Sequence, residues 1–149
     1  MRVFIDTNVI MEMLEQRSQA DLCSNIFDWL DSSGSTGFIS IGSFYTITFL
    51  SERLLHHQGK KRPELTRKLR LILEGILQEF SIWPSSSKEL LEGIHDEDFT
   101  DLEDSYQYQA AIASGCSVLI TINIKDFDNV KDNKVKVLTP EDFSRMYMV

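Results

Sequence analysis

Three separate segments of the sequence carry acidic or amide side chains next to short apolar runs. These side chains are, in chain order, Asp6, Asn8, Asp98, Asp101, Glu103, Asp104, Asn123 and Asp126. Carboxylates that cluster repel one another and resist ionising together, and a divalent cation removes that conflict. Mg²⁺ prefers a few carboxylates and several waters, with substrate phosphates completing its shell. If the segments meet, the expected chemistry is metal-assisted hydrolysis of a phosphodiester by water, without a covalent intermediate.

Each acid taken alone also has a purely local explanation. Asp6 is followed by Thr-Asn, and Asp is a favoured residue at a helix N-cap. Asp101 and Asp104 would complement the dipole at the start of a helix, and Asp126 could cap a turn. Only the joint arrangement of the three segments favours a metal site over these explanations.

The apolar patterning predicts short strands that alternate with helices. Strands are predicted at Val3–Ile5, Phe38–Ser40, Phe80–Trp83, Ser117–Ile122 and Val135–Leu138. Helices are predicted after Asp6, after a cap at Ser18, over Ser43–His57, from Leu65 towards Phe80, over Ser85–Glu92, over Asp101–Ser114 and after Pro140. This alternation is typical of an α/β protein, a three-layer α/β/α sandwich with a mostly parallel central sheet. The length of 149 residues suits a single domain, residues 1–149.

This fold class predicts where the acids meet. In an open parallel sheet, the site lies outside the carboxyl ends of the strands. Asp6 follows the first predicted strand, and the segment from Thr121 to Asp126 follows the Ser117–Ile122 strand. Asp101 and Asp104 are three residues apart and share a helix face. We therefore expect the three segments to converge at one edge of the sheet.

Composition excludes several classes of protein. The net charge of −8 argues against a simple nucleic-acid-coating protein, although bound divalent metal would reverse the charge locally. No apolar run approaches the ~20 residues that a membrane helix needs, so no membrane association is expected. The two cysteines, Cys23 and Cys116, form no C-x-x-C pair and are expected to be core thiols of a cytoplasmic protein. Glycine-rich phosphate-binding loops and a nucleophile elbow are also absent from the sequence.

Two sequence blocks resemble the PIN-domain family. VFIDTNVI is similar to the family's first strand and first acid, and DFTDLEDSYQYQAAIASGCSVLITINIKDF resembles its second block. The order of elements matches over almost the whole chain. The resemblance implies an α/β/α fold and a ribonuclease that uses Mg²⁺ or Mn²⁺. It also implies the toxin of a toxin–antitoxin pair, with RNA as the substrate, an antitoxin protein as a partner and a homodimeric state.

The resemblance also implies roles for individual residues. Asp6 and Asp104 match metal ligands, while Asn123 and Asp126 fall at the family's fourth acidic position. Asp6, Asp104 and Asp126 are the expected catalytic residues, and Asp101 is an additional candidate ligand. Two polar residues, Thr121 and Asn8, would support the site.

One position departs from the family's pattern. PIN nucleases usually carry a glutamate on the helix after the second strand, and the alignment of FISIGSFYTITFL places Thr46 there. Glu52 lies six residues later, about 600° around the helix, and should face elsewhere. A second hypothesis is therefore a PIN-like domain that has lost catalysis and binds RNA or protein. A phosphatase or phosphotransfer domain is disfavoured, because such a phosphatase needs a second aspartate where this chain has Asn8.

A basic segment lies between Arg53 and Arg70. Its cationic residues are Arg53, Lys60, Lys61, Arg62, Arg67, Lys68 and Arg70, opposed within the segment only by Glu64. On an acidic protein this concentration is consistent with phosphate contacts. A solvated outer helix face is an equally good interpretation.

Overall fold

A single sheet of five short strands organises the protein. The computed structural model describes residues 1–149. The strands are β1 (Arg2–Ile5), β2 (Thr36–Ser40), β3 (Ser81–Trp83), β4 (Val118–Ile120) and β5 (Lys136–Leu138). Their order is β3-β2-β1-β4-β5, and every neighbouring pair is parallel. The predicted α/β class with a mostly parallel sheet is confirmed.

Seven α-helices connect and cover the strands. They are α1 (Thr7–Leu14), α2 (Ala20–Ser32), α3 (Ile41–His57), α4 (Glu64–Glu79), α5 (Ser87–His95), α6 (Leu102–Ala113) and α7 (Pro140–Tyr147). A short 3₁₀ helix, Ile124–Phe127, follows β4. No helix is long and apolar enough to cross a membrane.

The strands bury both of their faces. Val3 and Ile5 belong to one core cluster, which α1, α2, α4 and α7 also supply. Phe4 points the other way, into a second cluster that contains Tyr108 and Ala111 of α6. Because successive strand residues face opposite sides, this division shows helices packed on both faces of the sheet. The result is the predicted three-layer arrangement.

Several predicted boundaries shift by a few residues, and one predicted cap is wrong. Helix α2 begins after Gln19, which makes no side-chain capping bond, so Ser18 is not the cap. Helix α3 begins at Ile41 rather than Ser43, because the Ser40 hydroxyl accepts from the Ser43 N–H at 3.0 Å. Strand β4 ends at Ile120, two residues earlier than predicted.

The order of strands defines where the site must lie. The chain builds outward from β1 through β2 to β3, and then returns to place β4 on the other side of β1. Such a reversal of strand order opens a crevice at the carboxyl ends of the two central strands. Ile5 is in register with Ile120, and the Asp6 N–H donates to the Ile120 carbonyl at 3.0 Å. The residues that follow β1 and β4 are therefore neighbours.

Candidate active site

Asp6 is the most buried acid at this crevice, with only 5% of the residue exposed. It caps α1, since its Oδ1 accepts from the Thr7 N–H at 2.8 Å. The hydroxyl of Thr121, just after β4, donates to its Oδ2 at 2.8 Å. Burial raises the pKa of Asp6, hydrogen bonds from Thr121, Gln107 and Thr7 oppose the rise, and the charge of Asp101 adds to it. The capping role is confirmed, and each carboxylate oxygen still has lone-pair capacity for a further partner.

Gln107 of α6 is the centre of a buried hydrogen-bond network around Asp6. Only 2% of Gln107 is exposed. Its Nε2 lies 3.3 Å from Asp6 Oδ1 and 3.2 Å from Thr7 Oγ1, and it also contacts the Ser43 hydroxyl. Its Oε1 accepts from the Ser40 hydroxyl at 2.8 Å. The network joins the beginnings of α1 and α3 to the first turns of α6 and fixes the orientation of the Asp6 carboxylate.

The first turn of α6 brings three more acids to the crevice. Asp101 is the N-cap, and its Oδ1 accepts from the N–H groups of Glu103 at 2.9 Å and Asp104 at 3.2 Å. Asp104 Oδ2 is buried and has no hydrogen-bond partner. A buried carboxylate oxygen without a donor is costly, which marks Asp104 as the acid that most needs a cation or a proton.

The electrostatics of Asp104 follow from its neighbours. Burial raises its pKa to about 7, and the charges of Asp6, Asp101 and Asp126 and a hydrogen-bonding contact with Asp126 add to the rise. Glu103, at the rim, also has a raised pKa, first through partial desolvation and then through Asp6 and Asp101. The charges of these acids therefore interact, although the residues come from distant parts of the sequence.

The segment after β4 completes the crevice. Asn8 Oδ1 accepts from the Ile122 N–H at 3.2 Å, and Asn8 Nδ2 lies 3.4 Å from Thr121 Oγ1. These contacts tie the start of α1 to this segment, as expected for two supporting residues. Asn123 and Asp126 reach the crevice from the segment, with both side chains exposed.

Together these residues line a cavity of about 260 Å³, which we call the acidic cavity. Its lining is Asp6, Thr7, Asn8, Met11, Thr46, Leu50, Asp101, Glu103, Asp104, Asn123 and Asp126. All five residues predicted as metal ligands are therefore brought together. No lysine, arginine or histidine lines the cavity, so five carboxylates face it without a protein cation.

The donor set fits a hard divalent cation. Carboxylate and amide oxygens are the ligands that Mg²⁺ accepts, and the unpartnered Asp104 Oδ2 supplies a free one. No group of three acids is arranged so as to hold a metal ion by itself. One or two carboxylates would therefore bind directly, with waters and substrate phosphate oxygens completing the shell, which is a usual arrangement for Mg²⁺.

Comparison with known proteins agrees with this fold. The model of the PIN domain matches residues 2–125, which is most of the chain. The chain belongs to the PIN-domain family. The protein is also 30% identical to "Ribonuclease VapC1" of Aquifex aeolicus (strain VF5) over 151 residues, which span 95% of this chain and 92% of that protein.

Solved structures resemble this PIN domain in fold. VapBC2 from Rickettsia felis, bound to a DNA fragment from its promoter, aligns with a TM-score of 0.67 and 18% identity, covering 93% of this chain and 98% of that one. DNA-bound VapBC from Salmonella typhimurium gives a TM-score of 0.65 and 12% identity, covering 94% and 98%. VapBC-1 from nontypeable Haemophilus influenzae gives 0.66 and 13%, covering 95% and 99%. At these identities the likeness concerns the fold.

Thr46 of this PIN domain contributes to the acidic cavity. It lies on α3, is partly buried and lines the cavity together with Asp101, Glu103 and Asp104 at the start of α6. Glu52 lies outside the cavity and forms an ion pair with Arg62 instead. The α3 side of the cavity is therefore occupied by a hydroxyl and not by a carboxylate.

Two residues of the site were missed or undervalued by the sequence analysis. Gln107 was not singled out, although a polar residue three positions after Asp104 on a buried helix face was a usable signal. Glu103 was noted but not proposed as a ligand. It lines the acidic cavity and also a small neighbouring cavity, and Thr46 lines both as well. Of the five acids in the acidic cavity, Glu103 is the one that shares both cavities with Thr46, where the alignment expects the family's glutamate.

Proposed function

We propose that this PIN domain is an endoribonuclease that hydrolyses RNA phosphodiester bonds with Mg²⁺ or Mn²⁺. The observation that carries the proposal is the convergence of Asp6, Asp104 and Asp126 on one cavity that has no protein cation. The similarity to a VapC-type ribonuclease supports RNA as the substrate. The raised pKa values of Asp6 and Asp104 support a site built to hold positive charge.

We assign roles to the residues as follows. Asp6 and Asp104 would hold the metal, and Asp126 and Asn123 would contact it or its waters. Asp101 caps α6 and also lines the cavity. The bound metal would lower the pKa of a water and neutralise charge on the phosphate. Thr121 and Gln107 hold the Asp6 carboxylate in one orientation. Burial and the charges of the neighbouring acids raise the pKa of Asp104 to about 7, so without metal this carboxyl is partly protonated near neutral pH.

The test is RNA cleavage with Mg²⁺ or Mn²⁺, with and without EDTA. We expect metal-dependent cleavage that Asp6→Asn and Asp104→Asn each reduce by orders of magnitude. Asp128→Asn is the matched control, because Asp128 is exposed and does not line the acidic cavity. Cleavage that persists in EDTA, or that falls equally in the control, would refute the metal-dependent mechanism.

Thr46 supports a second candidate function. A PIN domain that lacks one acid of its site could bind RNA or protein without cutting it. Binding of RNA by the wild-type protein, with no cleavage in either metal, would favour this candidate. RNA cleavage by the Thr46→Glu variant alone would show that the wild-type protein lacks activity because position 46 carries no carboxylate.

The assembly forms a further part of the proposal. The solved structures of similar fold are VapBC toxin–antitoxin complexes. We propose that this chain is the toxin of such a pair, that it binds an antitoxin protein, and that it is a homodimer. Co-purification with the product of an adjacent small gene, and light scattering of the isolated chain, test these two points separately.

A further inference from the structure

A second cavity, of about 320 Å³, adjoins the acidic cavity, and we call it the basic cavity. It is formed by the end of α1, the turn after it and the second half of α3. Its lining is Glu15, Arg17, Leu50, Arg53, Leu54 and His57. Leu50 lines both cavities, so one half-buried side chain forms the wall between them.

The two cavities differ in the charge that they present. Arg17 is ion-paired with Glu15 at the basic cavity, whereas Arg53 forms no ion pair. The guanidinium of Arg53 lies 5.7 Å from the centroid of the Phe49 ring, a cation–π contact that restrains it. The Phe49 ring itself is 58% exposed. A restrained, unpaired guanidinium thus stands beside a cavity that is rich in carboxylates.

The rest of the basic segment carries fewer unpaired cations than its sequence indicates. Glu64 pairs with both Lys60 and Lys68. Arg62 pairs with Glu52, which the sequence analysis did not count as an opposing charge. Three of the seven cations are therefore ion-paired, two with Glu64 inside the segment and one with Glu52 just before it. Of the seven, only Arg53 lines the basic cavity.

We propose that the basic cavity binds a phosphate of the RNA strand next to the scissile phosphate. This inference rests on the proposed function, in which the scissile phosphate lies at the acidic cavity. A nucleic-acid strand repeats its phosphates at short intervals, so a neighbouring phosphate must lie close by. The strand crosses Leu50, and the planar guanidinium of Arg53 donates to phosphate oxygens. The exposed Phe49 ring offers a base a stacking surface beside it.

This assignment explains an otherwise unfavourable balance of charge. A strand that approaches five carboxylates is repelled until metal is bound. An arginine that forms no ion pair with the protein recovers part of that cost at the adjacent phosphate, with or without metal. The basic cavity therefore contributes to affinity, while the acidic cavity carries the chemistry.

The first test is RNA binding in EDTA, where no cleavage occurs. A fluorescent single-stranded decanucleotide is titrated with wild type, Arg53→Gln and Arg67→Gln, at several salt concentrations. Arg67 is a matched control because it is exposed, unpaired and remote from the cavity lining. We expect Arg53→Gln to bind roughly tenfold more weakly at low salt. Its salt slope should fall by about 0.7 relative to wild type, with a smaller change for the control.

The second test uses substrate length in the presence of Mg²⁺. A dinucleotide has one phosphodiester and cannot fill both cavities, whereas a decanucleotide can. Arg53→Gln should raise KM for the decanucleotide, leave its kcat unchanged, and leave dinucleotide cleavage unaffected. An equal change in KM for the dinucleotide and the decanucleotide would contradict a phosphate subsite separate from the acidic cavity.

The outcomes separate this inference from the proposed function. If wild type does not cleave RNA but its binding depends on Arg53 and not on Arg67, the basic cavity is supported as an RNA phosphate site and the nuclease proposal fails. If wild type cleaves RNA and the two arginine variants bind and cleave alike, the inference is overturned alone. Arg53-dependent binding of poly-glutamate or of inorganic phosphate, with unchanged RNA affinity, would also overturn the assignment to an RNA strand.

Discussion

Gln107 Nε2 donates a hydrogen bond to Asp6 Oδ1 across 3.3 Å, although the two residues are 101 positions apart in the sequence. The same amide group contacts Thr7 and Ser43, and its carbonyl oxygen accepts from Ser40. A neutral side chain therefore supports the charged form of the buried aspartate without adding another charge. In a cavity of five carboxylates, an acid at this position would increase the repulsion.

Replacing Gln107 with leucine should reduce both stability and metal affinity. Leucine keeps the volume but leaves Asp6 and the hydroxyls of Thr7, Ser40 and Ser43 without this partner, so the free energy of unfolding should fall by about 1–3 kcal/mol. Metal affinity should fall as well, because the Asp6 carboxylate loses its orientation. Urea unfolding, with and without Mg²⁺, measures both effects.

Gln109→Leu is the control for this substitution. Gln109 lies on the same helix, is partly buried and makes no side-chain hydrogen bond. Its replacement should change the free energy of unfolding by less than that of Gln107. Equal losses in the two variants would show that the network around Asp6 contributes nothing specific.

The metal-free protein should become less stable as the pH rises from about 4 towards 7. Asp104 has a pKa of about 7 in the folded protein, against an ordinary value of 3.8, so the folded state binds more protons in this range. Stability must then fall with rising pH, and the raised pKa values of Asp6 and Glu103 act in the same direction. Urea unfolding in EDTA across this range measures the slope.

Asp104→Asn supplies the comparison for the pH experiment, because it removes the titrating group at nearly constant shape. The variant should show a shallower slope than wild type. Millimolar Mg²⁺ should also flatten the wild-type slope, since metal replaces the proton as the counter-charge. A wild-type slope that neither the substitution nor metal alters would exclude Asp104 as its source.

Thr46→Glu should change stability in opposite directions with and without metal. In EDTA the added carboxylate repels Asp6 and Asp104 and should lower the free energy of unfolding. With Mg²⁺ it adds a ligand for a hard cation, so metal affinity and any weak cleavage should rise. Thermal melting in EDTA and in millimolar Mg²⁺ gives the comparison. Equal destabilisation in both conditions would place Thr46 outside the site.

Glu103→Gln tests whether the acid that shares two cavities with Thr46 serves as a metal ligand in place of a glutamate at position 46. We expect the substitution to weaken Mg²⁺ binding, as measured by calorimetry, and to slow RNA cleavage. The double variant Glu103→Gln with Thr46→Glu should regain affinity, because a carboxylate returns to the same cavity. Glu97→Gln is a matched control outside the cavity. A Glu103 variant that binds Mg²⁺ like wild type would rule out compensation.

Much of the candidate site could be predicted because its signals are local. Asp6 directly follows a strand, and the Thr121–Asp126 segment directly follows another. In a parallel sheet, such positions reach one edge whatever the details of packing. The strands were predicted from short apolar runs. The N-cap role of Asp6 was predicted because aspartate is a favoured residue type at the start of a helix. The pairing of β1 with β4, which makes the two ends neighbours, was not predicted and is given only by the tertiary structure.

The sequence by itself thus determined which acids follow strands and which residue the alignment places at the family's glutamate position. Only the tertiary structure decided what surrounds them. Gln107 reaches Asp6, Glu103 shares two cavities with Thr46, and Leu50 lines both the acidic and the basic cavity, all through packing between distant elements. The partners of a side chain depend on helix rotation and on the approach of other elements. The spacing within one segment indicates which helix face a residue shares, but not which distant residue it contacts, and for that reason the sequence could not show that one of seven cations, Arg53, lines the basic cavity.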